Sequence, residues 1–372
     1  MSGSTVRRNA QKIIDGKYSG PDPLLEEFKT MIYERLEELQ LPPGKIQLSP
    51  ELDPIDCTND DFDFIEKLGE GSFGEVHKVK HIPTGNLMAI KYQTIVFDPH
   101  SDEAREYWTR QKIYDRLIRE ITAFRKAFVS KFTNFIPSYY GMLILEKSVA
   151  FCIEVLDLTA ENLYHCHKNK KRDAIITNDN NESLHFEEKP LAIVAISILK
   201  AMLHLRNLKA MHRDIKPRNI LLNFNGDVKL CDLGLVVFLE DSAAISIQSG
   251  SKLYLAPEIL RGDFVTEYRV KSDVWSLGIT LLEMARFRYP FNTDVLEKDL
   301  LFQIIAKPVP ILNENDGYNE EMTHFINQCL IKDPKQRPHI TELEMLELAT
   351  KFSDINFNRN LMKDFISNNV ER

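Results

Sequence analysis

The chain of 372 residues lacks a surplus of positive charge. It has 47 Lys and Arg against 55 Asp and Glu, a net charge of −8. Broad binding to nucleic acid or to an anionic membrane surface calls for a basic surplus, so both are disfavoured. Long apolar runs are missing too. The longest, "LAIVAISIL" at 191–199, is about half of what spans a bilayer. The opening "MSGSTVRRNAQK" has no apolar stretch and does not read as a secretory signal. Cysteines are few and scattered: Cys57, Cys152, Cys166, Cys231 and Cys329. They show neither metal-ligand spacing nor a disulfide framework, which fits thiols in a reducing compartment. A cytoplasmic location is expected, with the nucleus as a second option. No internal repeat is visible.

What is present is an ordinary globular composition, 43% hydrophobic and 27% charged. The length suggests one large domain or two modest ones with tails. Residues 1–21 are polar and rich in Gly and Ser, and are expected to be disordered. Then "DPLLEEFKTMIYERLEELQLPPG" reads as an amphipathic helix over 22–40. Asp22 can cap it and Pro23 suits its first position. Leu24, Leu25, Phe28, Met31, Ile32, Leu36 and Leu39 share one face, and Pro42 and Pro43 stop it. Residues 43–60 read as a linker, so 1–60 form an N-terminal extension. From 61 to 153 strand-like runs dominate, broken by one helix near 104–129. Residues 154–353 are mostly helical. Within them 190–208 is apolar nearly all round and reads as a buried core helix; "NDNNES" (178–183) reads as a loop insertion. The tail 354–372 reads as a helix in which Phe357, Leu361, Met362, Phe365 and Ile366 recur at helical spacing. That face suits core packing or, less well, a partner groove. The fold class is α+β: a small β-rich lobe with one helix, then a larger α-helical lobe.

Four separated stretches carry chemistry. In "LGEGSFGEV" the glycines Gly69, Gly71 and Gly74 form G-x-G-x-x-G, followed by Val76. Alone this is weak, because a dinucleotide fold shares it. A dinucleotide unit needs a helix straight after the glycines. Here "EVHKVKH" is a strand, so the loop is a hairpin tip whose backbone N–H groups can approach phosphates. In "MAIK", Lys91 faces inward and needs a carboxylate partner. Glu120 in "RLIREITAF" is preferred to Asp115, since Ile118, Ile121 and Phe124 flank it. An unpaired surface lysine is the bland alternative. In "MHRDIKPRNILL", Asp214 can accept a proton from a substrate hydroxyl, Lys216 can steady phosphoryl oxygens, and Asn219 can ligate a metal. In "CDLG", Asp232 would hold Mg²⁺ across the phosphates while Gly234 frees the backbone.

Each stretch is modest alone; their order and spacing together are specific. Over about residues 62–350 the chain resembles the eukaryotic protein kinase superfamily. The resemblance extends to Ala256-Pro257-Glu258, to "SDVWSLG" with Asp273, and to Arg337 in "KDPKQRPHI". It implies a bilobal protein kinase fold, ATP and Mg²⁺ as cofactors, and a buried Glu258–Arg337 ion pair. "CDLG" has Leu233 where Phe is usual, an apolar exchange that does not signal inactivity. Within the superfamily, "HIPTGNLMAIK", "FCIEVLDL", "KSDVWSLGITLLEMARFRYPF" and above all "DSAAISIQSGSKLYLAPE" (241–258) resemble the MAP kinase kinases that activate stress-responsive MAP kinases.

That resemblance assigns roles residue by residue. Catalysis falls to Asp214, Lys216, Lys91 and Glu120, and metal binding to Asn219 and Asp232. ATP is held by Leu68, Gly69, Glu70, Gly71, Ser72, Phe73, Gly74, Val76, Ala89 and Lys91. Ile153 is the gatekeeper, and Glu154 and Leu156 bond adenine. Ser242 and Ser246, four apart and followed by Gly250, Lys252 and Tyr254, are the phosphoacceptors of a switch. The implied substrate is a MAP kinase, modified on Thr and Tyr of its activation loop. The implied activator is an upstream MAP kinase kinase kinase. Lys216 alone would indicate Ser/Thr specificity, so the dual breadth comes from the resemblance only. A helix in the region 22–40 can restrain activity in that family. Arg218 stands where Ser is usual and is expected to face solvent with little effect.

Other features read blandly. "YHCHKNKKR" (164–172) offers His165, Cys166 and His167, but neighbours on a helix point apart, so a surface helix end is expected. Its basic run is a solvated face rather than an import signal. "VRRNAQKII" (6–14) resembles a docking peptide imperfectly and otherwise reads as a flexible tail. The alternatives to a MAP kinase kinase are another Ser/Thr kinase of the same broad group or a pseudokinase scaffold. The scaffold is disfavoured because Lys91, Glu120, Asp214, Asn219 and Asp232 are all present.

Overall fold

The computed structural model describes residues 23–39, 43–71, 74–95, 103–129, 134–178, 184–238, 252–263 and 266–370. The chain divides into two units, residues 1–131 with 138–155, and residues 132–137 with 156–372.

The first unit opens with helix α1 (Pro23–Glu38), followed by β1 (Lys45–Ile46), β2 (Ile55–Asp56), β3 (Phe62–Gly71), β4 (Gly74–His81), β5 (Leu87–Thr94), helix α2 (Glu103–Val129), β6 (Tyr139–Ile144) and β7 (Ser148–Ile153). The strands form one antiparallel sheet in the order β2-β1-β6-β7-β5-β4-β3. Central strands read as continuous apolar runs because both faces are covered: Val149 to Ile153 are all buried, as are Met88, Ala89 and Ile90. The edge strand β3 is mostly exposed, carries Glu66 and Lys67, and is interrupted by two register shifts. Charge and bulges of this kind keep an open edge from pairing with other chains.

Two expectations are corrected here. The 43–60 stretch is not a plain linker, since its β1–β2 pair extends the sheet and places Ile46 and Cys57 in the core beside Cys152. Gly141 makes this possible. It has φ +154°, and a Cβ there would lie 2.1 Å from the carbonyl oxygen of Lys45. Burial pushes the Cys57 thiol up to about 11. Helix α1 does pack, through Leu25, Phe28, Ile32 and Leu36, and Phe28 meets Tyr114 of α2 edge-to-face at 6.3 Å. Met31, expected on the same face, is exposed instead. The buried stripe is therefore narrower than the sequence suggested.

The second unit contains β8 (Leu158–Thr159), α3 (Ala160–Asn178), α4 (Glu188–Asn207), β9 (Ala210–Met211), β10 (Ile220–Leu222), β11 (Val228–Leu230), β12 (Val237–Phe238), α5 (Pro257–Arg261), α6 (Thr266–Arg286), α7 (Glu297–Ala306), α8 (Glu320–Cys329), α9 (Ile340–Leu343), α10 (Glu347–Lys351) and α11 (Ile355–Asn369). Helix α4 is the core helix that its nearly all-round apolar pattern predicts: every residue from Pro190 to Leu199 is buried, and the helix packs on α6, α11 and β11. The tail helix α11 is capped by Asp354, which accepts from the backbone N–H groups of Asn356 and Phe357. It buries Met362, Phe365 and Ile366 against the unit, while Phe357 is exposed. Gly226, in the turn before β11, lets it approach: a Cβ there would sit 2.0 Å from the Arg359 carbonyl.

His167 overturns the surface reading of 164–172. Helix α3 runs on to Asn178, and the imidazole is buried among Phe186, Phe287 and Phe365, with Nδ1 2.8 Å from Asn369 Oδ1. Among the described residues no group of His, Cys, Asp and Glu has metal-binding geometry.

Candidate active site

In the first unit the glycine-rich stretch is the turn of the β3–β4 hairpin, with Gly71 opposite Gly74. Gly74 has φ +148°, and a Cβ on it would lie 1.8 Å from the Tyr92 carbonyl oxygen. Only glycine is tolerated there. Ser72 and Phe73 lie outside the described residues. Leu68 and Gly69 precede the tip, and Glu70 pairs with Lys67 at 2.7 Å on the exposed edge. Antiparallel pairing then sets Val76 opposite Lys91 and Ala89 opposite Ile153. Sheet register thus gathers Val76, Ala89, Lys91 and Ile153 into neighbouring positions.

Lys91 finds the partner proposed for it. Its Nζ donates to Glu120 Oε1 at 2.7 Å, and the Glu120 side chain is fully buried. A buried carboxylate needs both oxygens satisfied, and Gln93 Nε2 donates to Oε2. Gln93 was missed in the sequence reading. The available signal was its place two residues beyond Lys91, on the same face of the strand. At the end of β7, Glu154 and Ser138 are tied twice: Glu154 N–H to the Ser138 carbonyl at 2.8 Å, and Ser138 N–H to Glu154 Oε2 at 2.9 Å.

In the second unit the loop between β9 and β10 carries Asp214, Lys216 and Asn219. Lys216 Nζ donates to Asp214 Oδ2 at 2.7 Å. Asn219 Nδ2 donates to the same oxygen at 2.8 Å and to the Asp214 carbonyl at 2.7 Å. Its two amide hydrogens are thereby committed, which leaves its amide oxygen as the end for a cation. Cys231 N–H bonds the Asn219 carbonyl at 2.8 Å, so the strand leading to Asp232 is stitched to this loop. Asp232 has φ 63° and Arg213 φ 70°. Left-handed backbone in non-glycine residues costs about 1–3 kcal/mol each and persists where surrounding contacts over-determine it.

Asp273 supplies those contacts for Arg213. It is buried at the start of the apolar part of α6, and accepts the backbone N–H groups of His212 at 2.7 Å and Arg213 at 2.8 Å. Burial pushes its carboxyl above the ordinary range, against the opposing pull of His212, Arg213 and the two N–H bonds. The Asp214 N–H donates to His212 Nδ1 at 3.3 Å, so the proton sits on Nε2, which bonds the Cys231 carbonyl at 2.9 Å. One histidine in one tautomer therefore links the two loops.

The segment before α5 is anchored separately. Tyr254 donates to Glu283 Oε2 at 2.6 Å, and its carbonyl accepts from Ser276 at 2.7 Å. Tyr164 donates to the other Glu283 oxygen at 3.2 Å. Burial pushes the Glu283 carboxyl up and these two phenols pull it back. Lys252 pairs with Glu297. Glu258 and Arg337 meet at 2.7 and 3.0 Å, both buried, and every remaining guanidinium N–H reaches a carbonyl, of Ile331, Lys271 or Lys332. Ser242 and Ser246 lie outside the described residues. Arg218 is 72% exposed at its side chain, as expected, yet not unengaged: its Nε donates to Glu161 Oε2 at 2.7 Å.

These contacts hold carboxylates, lysines and an amide of the kinds that phosphoryl transfer uses, in two sets, one per unit. The family model of the protein kinase domain matches residues 62–347. A dual specificity mitogen-activated protein kinase kinase, sek-1 of Caenorhabditis elegans, is 31% identical over 300 residues, covering 80% of this chain and 81% of that protein. The chain belongs to the MAP kinase kinase family of protein kinases. It is an ATP-dependent protein kinase with the α+β fold of that family, and Leu233 of "CDLG", standing where Phe is usual, is fully buried.

Proposed function

We propose that this kinase transfers the γ-phosphate of Mg-ATP to Thr and Tyr in the activation loop of a MAP kinase, and that an upstream MAP kinase kinase kinase switches it on at Ser242 and Ser246. The observation that carries the catalytic half is the Asp214 carboxylate, buried and held by Lys216 and Asn219. It is oriented as an acceptor for a hydroxyl proton, beside a cation that balances charge on the transferred group. The donor set suits Mg²⁺: the Asn219 amide oxygen and the Asp232 carboxylate are hard oxygen ligands, one just before β10 and one just after its partner strand β11. When bound, the metal would neutralise charge on the phosphates. Lys91, fixed by Glu120, would hold phosphate oxygens. The Leu156 backbone N–H has no partner among the described residues and would serve adenine, with Glu154 beside it. A cytoplasmic protein with access to the nucleus fits this role.

The test is Mg-dependent ATP turnover with a catalytically dead MAP kinase as acceptor, Thr and Tyr phosphorylation being read separately. Transfer to both supports the reading. Transfer to Thr alone would make the protein an ordinary Ser/Thr kinase, and transfer to neither would sink it.

A further inference from the structure

Arg218 departs from the residue usual at its position, and its surroundings give it work to do. It lies in the catalytic loop, one residue before Asn219 and two after Lys216. Its guanidinium has five N–H donors in a rigid fork. Glu161 Oε2 takes the Nε edge at 2.7 Å, and the other donors have no partner among the described residues. The side chain is 72% exposed, so these donors face solvent. Its partner Glu161 lies one turn before Tyr164 on α3, and Tyr164 shares the Glu283 carboxylate with Tyr254 of the anchored segment that leads to Pro257. This cation stands four residues after the proton-accepting Asp214, in a chain whose net charge is −8.

We propose that Arg218 is a specificity-determining residue that binds an oxyanion group on the protein substrate close to the acceptor hydroxyl, so that a substrate already carrying one phosphate is preferred for the second transfer. The inference rests on the dual-phosphorylation reading above. A substrate modified at two nearby hydroxyls presents such a dianion after its first turnover. An open guanidinium fork matches phosphate geometry, and charge-assisted bonds to it are the strong ones. Glu161 fixes the fork by one edge and leaves the others turned outward. An Asp or Glu in the substrate offers the same oxyanion chemistry with half the charge.

The experiment uses a catalytically dead MAP kinase with a single free acceptor, Thr or Tyr, the other position being unmodified, phosphorylated or replaced by Glu. The ratio of kcat/KM for each anionic substrate over the unmodified one is measured for the wild type, R218S, R218K, R218E and E161Q. The wild type should favour the phosphorylated substrate by about three- to tenfold, the range of one solvent-exposed charge-assisted contact. R218S should bring the ratio near one, R218K should retain part of it, and R218E should reverse it. E161Q, which leaves the guanidinium uncompensated, should raise it. A matching gain with Glu identifies a carboxylate as sufficient; a gain with phosphate alone identifies the product of the first turnover as the ligand. A loss of general catalysis or folding lowers all substrates together and leaves the ratio alone, so an unchanged ratio across the variants, or no preference in the wild type, overturns the proposal. Transfer to neither Thr nor Tyr by the wild type is a different result: it removes the proposed function itself.

Discussion

At the scale of single residues, chemistry depends on side chains held in place by named partners. Asp214 is held through one oxygen by two donors, Lys216 and Asn219, while Asp232 stands on strained backbone next to the Cys231 tether. Changing Asp232→Asn keeps the shape and removes the charge. Turnover should fall by roughly 10²–10³ or more, the scale of a lost electrostatic contact at a reacting phosphate, with an unchanged melting temperature. Wild-type-like turnover would overturn the metal assignment. Arg337 makes the opposite kind of contribution. Truncating Arg337→Ala strands Glu258 as a buried unpaired charge and should cost about 3–5 kcal/mol, read as a fall in unfolding free energy in denaturant titration. Most of these residues were legible because their types and spacing are dictated by phosphoryl chemistry. Gln93, Glu283 and the clamping role of Asp273 were not, because a buried polar group acquires its partner only through tertiary contact. The Tyr254–Glu283 pair spans 29 residues, and no local pattern announces it.

At the scale of elements, long periodic segments were the most readable. The nearly all-round apolar α4 and the amphipathic α1 and α2 follow from spacing alone. Short elements were lost. The β1 and β2 strands are two residues each, too brief to show an alternation, and only Gly141's open face on β6 gives them a place to pair. His167 was misread for a related reason: a polar-looking helix run can still bury one ring when a distant tail helix arrives to cover it. Helix α1 gives a prediction at this scale. It packs on α2, the helix that carries Glu120, with Phe28 against Tyr114. Phe28→Ala should therefore cost about 3–5 kcal/mol, as for large-to-small changes in a core, and deletion of residues 1–40 should lower the melting temperature. Because Glu120 must stay aligned with Lys91, basal turnover should change in the same deletion. Calorimetry and a basal activity assay decide the matter; if neither quantity moved, α1 would be an ornament.

At the scale of the whole molecule, the open question is what turns such a site on. The stretch 239–251, which carries Ser242 and Ser246, joins two firmly held regions. On one side Cys231 is bonded to Asn219 of the Asp214–Asn219 loop, and β12 pairs with β9. On the other, Lys252, Leu253 and Tyr254 are pinned by Glu297, by the Tyr289 hydroxyl and by Glu283. The intervening sequence is mostly small and polar. A phosphate adds about −1.5 to −2 charges and several strong acceptors, and in a chain with a net charge of −8 it needs a cation close by. Arg213 suits this need. Its backbone is locked by Asp273, it sits directly before Asp214, and any order it imposes on the segment passes straight to the catalytic loop. Acidic substitution of both serines should therefore raise activity. Alanine at both should give a folded protein with an unchanged melting temperature that its upstream kinase fails to activate. Arg213→Ala should blunt activation by phosphorylation while leaving the low basal rate within a few-fold, because Asp214, Lys216 and Asn219 stay bonded to one another. Full activation of the double-alanine protein would move the switch to Ser249 or Ser251, and an undiminished response in the Arg213 variant would assign the phosphate to a different cation.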